Sequence, residues 1–207
     1  MKLQIAFNSA NLEQDLEIAQ KIAHLADRIE IGPILLSKYG LLAIEKFRAA
    51  LPNCRLVANS KIIEFGHDLT RLNLEAGADW VTVLAGANKN VIHTTCTIAH
   101  QMGKKVLMDL IDARSRGQSA LEAKSYGIDA IMFHQPHDDY DEVALTDEWD
   151  MVKGNTDLPI FISAQITRAT LQAALNLVPY GISIGKAITQ AEDPLTEAEY
   201  FHQMLKV

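Results

Sequence analysis

The chain has 207 residues, of which 48% are hydrophobic and 22% charged, enough apolar material for one sizeable core of a soluble globular domain. Its net charge of −7 argues against a nucleic-acid partner or an anionic membrane surface. Cys54 and Cys96 lack metal-ligand spacing and form no disulfide framework, so they read as reduced thiols of a cytoplasmic protein. No charged leader with a long apolar run and no apolar stretch of transmembrane length is present, so neither export nor membrane insertion is expected.

In chain order, residues 3–7 form an apolar strand ending at Asn8. Asn11 is suited to cap a helix over 12–25, where Leu12, Leu16, Ala19, Ile22 and Leu25 recur at helical spacing. A second strand, 28–31, is closed by Gly32-Pro33, and a helix over 37–50 stops before Pro52. A third strand, 55–59, leads into a helix over 65–76 ended by Gly77. The same unit then repeats. Strands are expected at 80–84, 105–109, 130–133, 159–163 and 181–184. Helices are expected at 88–102, 119–126, 141–153, 167–177 and 196–206.

That makes eight strand–helix units averaging about 25 residues, near the minimum a parallel crossover needs. The strands are short and largely apolar, as expected where both faces are buried. Ala76-Gly77-Ala78-Asp79, Tyr126-Gly127-Ile128-Asp129 and Tyr180-Gly181 mark the same joint three times: a helix-ending glycine, a tight loop, then a strand. No linker divides the chain, so residues 1–207 are expected to form a single (β/α)8 barrel. The rival, an open doubly wound sheet, would carry a glycine-rich first turn, and Asn8-Ser9-Ala10-Asn11 is not one.

In such a barrel the strand C-termini form one rim. Here the rim reads Asn8, Glu30, Asn59 with Lys61, Asp109, His134, Ser163 with Gln165, and Lys186 after Gly185. Only the fourth strand, at Leu84-Ala85-Gly86, ends without a polar group. Singly, each has an ordinary reading: Lys61 as a loop lysine with Glu64 its solvated partner, Glu30 as a satisfied acid, His134 as a cap. Seven polar groups converging on one mouth without function would be costly to bury.

The most informative stretch is Val57-Ala58-Asn59-Ser60-Lys61-Ile62-Ile63-Glu64. Together with Ile29-Glu30-Ile31-Gly32, the run from Ala76 to Ala85, Met108-Asp109-Leu110-Ile111 and Ile184-Gly185-Lys186-Ala187-Ile188-Thr189, it resembles 3-hexulose-6-phosphate synthase. That enzyme and 3-keto-L-gulonate-6-phosphate decarboxylase belong to the orotidine 5′-phosphate decarboxylase suprafamily, whose third-strand motif is Asp-x-Lys-x-x-Asp. The resemblance runs from residue 2 to about 195. It implies a homodimeric barrel with active sites at the dimer interface and a phosphorylated sugar as substrate. It implies Mg2+ held at Glu30 and Asn59, beside a ketose carbonyl that becomes an enediolate. Lys61 would stabilise the oxyanion, Asp109 and His134 would assist proton transfer, and Glu64 would reach the partner's site. The phosphate would sit near Gln165, Ile166, Gly185 and Lys186, between the last two strand loops.

The chemistry of these residue types agrees. A hard divalent ion takes oxygen ligands, an enediolate needs a cation nearby, and a histidine titrates where it can move a proton. The start of the helix expected at 167, with Lys186, offers donors and charge to a phosphate. The departures from the pattern also fall at the site. Asn8 and Asn59 stand where the family has aspartates, Glu64 replaces the second motif aspartate, and Ala164-Gln165 replaces Gly-Gly. Asn59 weakens the implied metal site by one charge, and Asn8 removes a carboxylate that would orient Lys61 at the substrate end. Two classes of function follow. One is a lyase joining or separating formaldehyde and ribulose 5-phosphate, with a keto-gulonate-phosphate decarboxylase as a variant. The other is a sugar-phosphate-binding barrel of altered specificity or without turnover.

Overall fold

The computed structural model describes residues 1–135 and 142–206, with the backbone alone for 142–147. Among these residues eight parallel strands close into a barrel in sequence order, each bonded to the next and β8 to β1. The strands are β1 (Lys2–Phe7), β2 (Arg28–Ile31), β3 (Leu56–Ile62), β4 (Trp80–Leu84), β5 (Lys105–Asp109), β6 (Ala130–His134), β7 (Ile160–Ser163) and β8 (Gly181–Ile184). The expected (β/α)8 architecture is the one observed.

Strand alternation sorts the core into two parts. Outward residues such as Ile29, Ile31, Val81, Val83, Ile131, Phe133, Ile182 and Ile184 pack into one large cluster with the helices. Inward residues Val57, Trp80, Leu107, Ala130, Met132 and Phe161 form a separate apolar layer inside the barrel. Two residues further along their strands, the same inward file carries Asn59, Thr82, Asp109, His134 and Ser163. Two residues earlier than Glu30, on the same face of β2, lies Arg28. The barrel interior therefore runs from a cation at the N-terminal mouth, through an apolar layer, to a polar layer at the C-terminal mouth.

The helices are α1 (Leu12–Ile22), α2 (Pro33–Tyr39), α3 (Leu41–Ala50), α4 (Gly66–Glu75), α5 (Lys89–Gln101), α6 (Arg116–Ala123), α7 (Glu142–Lys153), α8 (Leu171–Asn176), α9 (Lys186–Thr189) and α10 (Pro194–Met204). Asn11 caps α1 as expected, its side chain accepting from the Gln14 N–H at 3.2 Å. The expected start of the seventh helix, Asp141, lies outside the described residues.

Three expected elements need correction. The helix expected over 37–50 is two helices, broken at Gly40, whose φ of +58° is cheap for glycine alone. Pro33 opens α2 at a position where its missing N–H costs nothing. The strand expected to end at 59 runs on to Ile62, through an irregularity in its pairing with β4 between Ala58 and Ile62. The helix expected from 167 starts at Leu171, because the 167–170 segment is tied into a turn by its own threonines.

Candidate active site

At the C-terminal mouth a cavity of about 160 Å³ is lined by Asn8, Glu30, Asn59, Lys61, His134 and Lys186, with Ser163, Ser183 and Gly185 among its other walls. These side chains come from six different strands or strand ends, as expected where a parallel barrel collects its inward file. Asp109 lies beneath, almost wholly buried.

Asp109 is the hub of one half of the site. Lys61 Nζ donates to its Oδ2 at 2.6 Å, and His134 Nδ1 lies 3.0 Å from the same oxygen and 3.1 Å from Oδ1. The Ile111 N–H also donates to Oδ1 at 3.0 Å. Burial alone would raise the Asp109 carboxyl, but the hydrogen bonds and charges of His134 and Lys61 outweigh it and hold it below the ordinary value. The carboxylate thereby fixes the histidine's Nδ1 as the protonated nitrogen, leaving Nε2 as the basic one. Lys61 is thus held in an ion pair with Asp109.

Lys61 itself sits in the left-handed region, with φ of +45°, unusual for a residue with a side chain and costing about 1–3 kcal/mol. Its N–H donates to Thr82 Oγ1 at 2.8 Å, which holds the bend. The irregularity in β3, rather than plain alternation, is what turns both Asn59 and Lys61 into one cavity.

Glu30 is the hub of the other half. Its Oε1 accepts from Asn59 Nδ2 at 2.7 Å and its Oε2 from Gln4 Nε2 at 2.5 Å, with Ser183 Oγ at 3.4 Å. Asn59 Oδ1 in turn accepts from the Thr82 hydroxyl at 3.1 Å. A divalent ion between Glu30 and Asn59 would need an oxygen lone pair from each turned to one point. Instead the asparagine presents N–H to Glu30 while its oxygen accepts from Thr82, so an ion would require the amide to turn over and give up both bonds. As arranged, this donor set does not fit the Mg2+ that the resemblance implies. Among the described residues no group of three or more His, Cys, Asp or Glu side chains is arranged to hold a metal.

The other expected residues divide between the cavity and its surroundings. Asn8 lines it, but its Oδ1 accepts from the Ile34 N–H at 2.8 Å, at the start of α2. Gly32 has no room for a side chain beside it, since a Cβ there would come within 2.7 Å of that oxygen. Ile166 is buried in the outer core and Gln165 is exposed, so neither lines the mouth. With α8 starting late and only six residues long, the phosphate donors expected at its N-terminus do not line the mouth among the described residues; Gly185 and Lys186 do. Glu64 is exposed and outside this cavity.

Four contributors escaped the sequence reading: Gln4, Thr82, Ser183 and Arg116. Thr82 looked like an ordinary β-branched strand former, and Gln4 and Ser183 lie mid-strand rather than at strand ends. Their signal was parity: each is a polar residue on the inward file of an otherwise apolar strand. Arg116, at the start of α6, pairs with Glu148, stacks 5.2 Å from the Phe133 ring and donates to the His134 carbonyl at 3.4 Å.

Residues 1–201 match the family model described as "Orotidine 5′-phosphate decarboxylase / HUMPS family". The chain is 27% identical over 207 residues to a 3-hexulose-6-phosphate synthase of Bacillus subtilis, covering 99% of each chain. It is 26% identical to a 3-keto-L-gulonate-6-phosphate decarboxylase of Salmonella paratyphi B, covering 98% of this chain and 95% of the other. The crystal structure of a 3-hexulose-6-phosphate synthase from Salmonella typhimurium superposes with a TM-score of 0.91 at 29% identity, over 100% of this chain and 99% of that one.

Proposed function

This chain belongs to the orotidine 5′-phosphate decarboxylase / HUMPS family, and on that premise we propose that it is a lyase of the 3-hexulose-6-phosphate synthase type acting on a ketose phosphate. The observation that carries this reading is the Lys61–Asp109–His134 cluster, a cation and a proton carrier held by one buried carboxylate at the wall of a sugar-sized mouth.

In this reading ribulose 5-phosphate enters with its phosphate towards Lys186 and Gly185. His134 takes a proton from C1, the C1–H electron pair becomes the C1=C2 bond, and the C2 carbonyl oxygen becomes an oxyanion. The Lys61 ammonium lies where that charge develops, and Asp109 keeps both partners oriented. C1 of the enediolate then forms a bond to the formaldehyde carbon, and the new alkoxide takes the proton back from His134, giving a hex-3-ulose 6-phosphate. Glu30, hydrogen-bonded by the Asn59 and Gln4 amides, supports the wall opposite Lys61.

The same reading makes the protein a homodimer. Ile63 and Phe65, which flank Glu64, are 55% and 65% exposed, and Leu72 on α4 continues the apolar face. A second copy covering that face would carry Glu64 towards the neighbouring mouth. Light scattering should then give twice the 22.9 kDa chain mass, and Phe65→Glu should return it to one.

A coupled assay of formaldehyde consumption with ribulose 5-phosphate tests the activity. Turnover lost in Lys61→Ala supports the lyase. Background rates from folded protein, alongside saturable binding of ribulose 5-phosphate, would instead assign the chain to the binding class.

A further inference from the structure

A second cavity, about 410 Å³, lies at the opposite end of the barrel, where the strands begin. Conserved features at this end of such barrels ordinarily serve stability. The charges here do not fit that role. Arg28, Arg55, Lys104 and Lys105 face Asp79 and Asp129 across the cavity. Both carboxylates are already engaged: Asp79 with Arg48 at 2.5 Å and Lys104 at 2.6 Å, and Asp129 with His100 and the Val106 N–H. Among the described residues Arg28, Arg55 and Lys105 have no ion pair.

Arg28 is the most telling of the three. Its side chain projects from the first residue of β2 and is only 8% exposed. The guanidinium is stacked between two rings, 3.9 Å from the Trp80 centroid and 4.2 Å from that of Phe161. Those rings satisfy its faces but not its edge, and Nη1 is buried with no hydrogen-bond partner among the described residues. Burial pushes the guanidinium down to about 10, the mark of a desolvated cation whose neighbouring anions do not compensate it. A buried charge left without an anion is strongly disfavoured, so an arrangement that preorganises one is expected to bind one.

We propose that the N-terminal mouth of the barrel is a second ligand site, one that takes the phosphate of a small phosphate monoester on Arg28, Arg55 and Lys105. A dianion with three oxygens can meet cations converging from several strands, and the cavity volume suits a phosphorylated metabolite better than a bare ion. The apolar layer of Val57, Leu107, Ala130 and Met132 separates it from the cavity containing Lys61. It rests on no part of the reading given to that cavity.

Calorimetric titration with inorganic phosphate in low-chloride buffer tests the proposal, using a Lys61→Ala/Lys186→Ala background that disables phosphate binding at the other mouth. The background protein should bind one phosphate per chain. Adding Arg55→Ala and Lys105→Ala, both at the solvent edge, should weaken that binding about tenfold, as expected for lost charge-assisted contacts. Absence of binding in the background protein, or unchanged affinity after the two further substitutions, would overturn it. Glucose 6-phosphate should displace phosphate at lower concentration than malonate does, and the reverse order would overturn the assignment to phosphate monoesters.

Discussion

The two mouths of this barrel are built on the same inward-facing file of residues, yet they handle charge in opposite ways. At the C-terminal mouth each acid is answered: Glu30 by Asn59 and Gln4, Asp109 by Lys61 and His134. At the N-terminal mouth Arg28 has two aromatic faces and, among the described residues, no ion pair. A closed network positions groups for chemistry, because each member fixes the next. An open one leaves a charge whose partner must come from outside.

Substitutions should separate the two kinds of mouth. The largest effect is expected at Lys61. Lys61→Ala removes the cation beside the developing oxyanion and should lower kcat about 10³-fold, measured in the coupled formaldehyde assay. Next comes Asp109→Ala, which leaves Lys61 and His134 without their common anion. It should destabilise the fold by about 3–5 kcal/mol in urea titration. Arg28→Met, which removes an unanswered charge while keeping most of its bulk, should change stability by no more than ~1 kcal/mol. Equal losses from the two substitutions would erase the distinction between the mouths.

The acid limb of stability gives a finer test. The folded Asp109 carboxyl is held below its ordinary 3.8, so the stability it contributes is complete above that pH and is lost as pH falls through the lower, folded value. Asp109→Asn should therefore flatten the stability profile in that acid window, read by thermal unfolding from pH 5 downwards (roughly 4 and below is where the change falls). Asn59→Asp sets a second carboxylate against the buried Glu30, so it is expected to destabilise the metal-free fold and to act specifically on ligands. It replaces the N–H facing Glu30 with a charged oxygen and should tighten Mg2+ binding. Calorimetry giving the same Mg2+ affinity for both proteins would show that residue 59 does not control the metal.

Much of the barrel was legible because parallel strands buried on both faces read as short apolar runs, and helix-ending glycines punctuate them. Glu30, Lys61, Asp109 and His134 were legible because they terminate those runs. The phosphate cradle at 167 was misplaced, since a threonine-tied turn and a helix start look alike in sequence. The orientation of the Asn59 amide was not legible, because it depends on Thr82 and Glu30, which are distant in the chain. Arg28 was not legible as a site residue, because a charge at a strand start is ordinarily a solvated one, and only the closed barrel stacks it on Trp80 and Phe161.

The central claim, that Lys61, Asp109 and His134 together generate an enediolate, is tested most directly without the aldehyde. Ribulose 5-phosphate incubated with the protein in D2O should lose its C1 proton signal to deuterium in the proton NMR spectrum, and Lys61→Ala and His134→Ala should suppress the exchange. Retention of the C1 protons while the sugar phosphate is demonstrably bound would contradict the account.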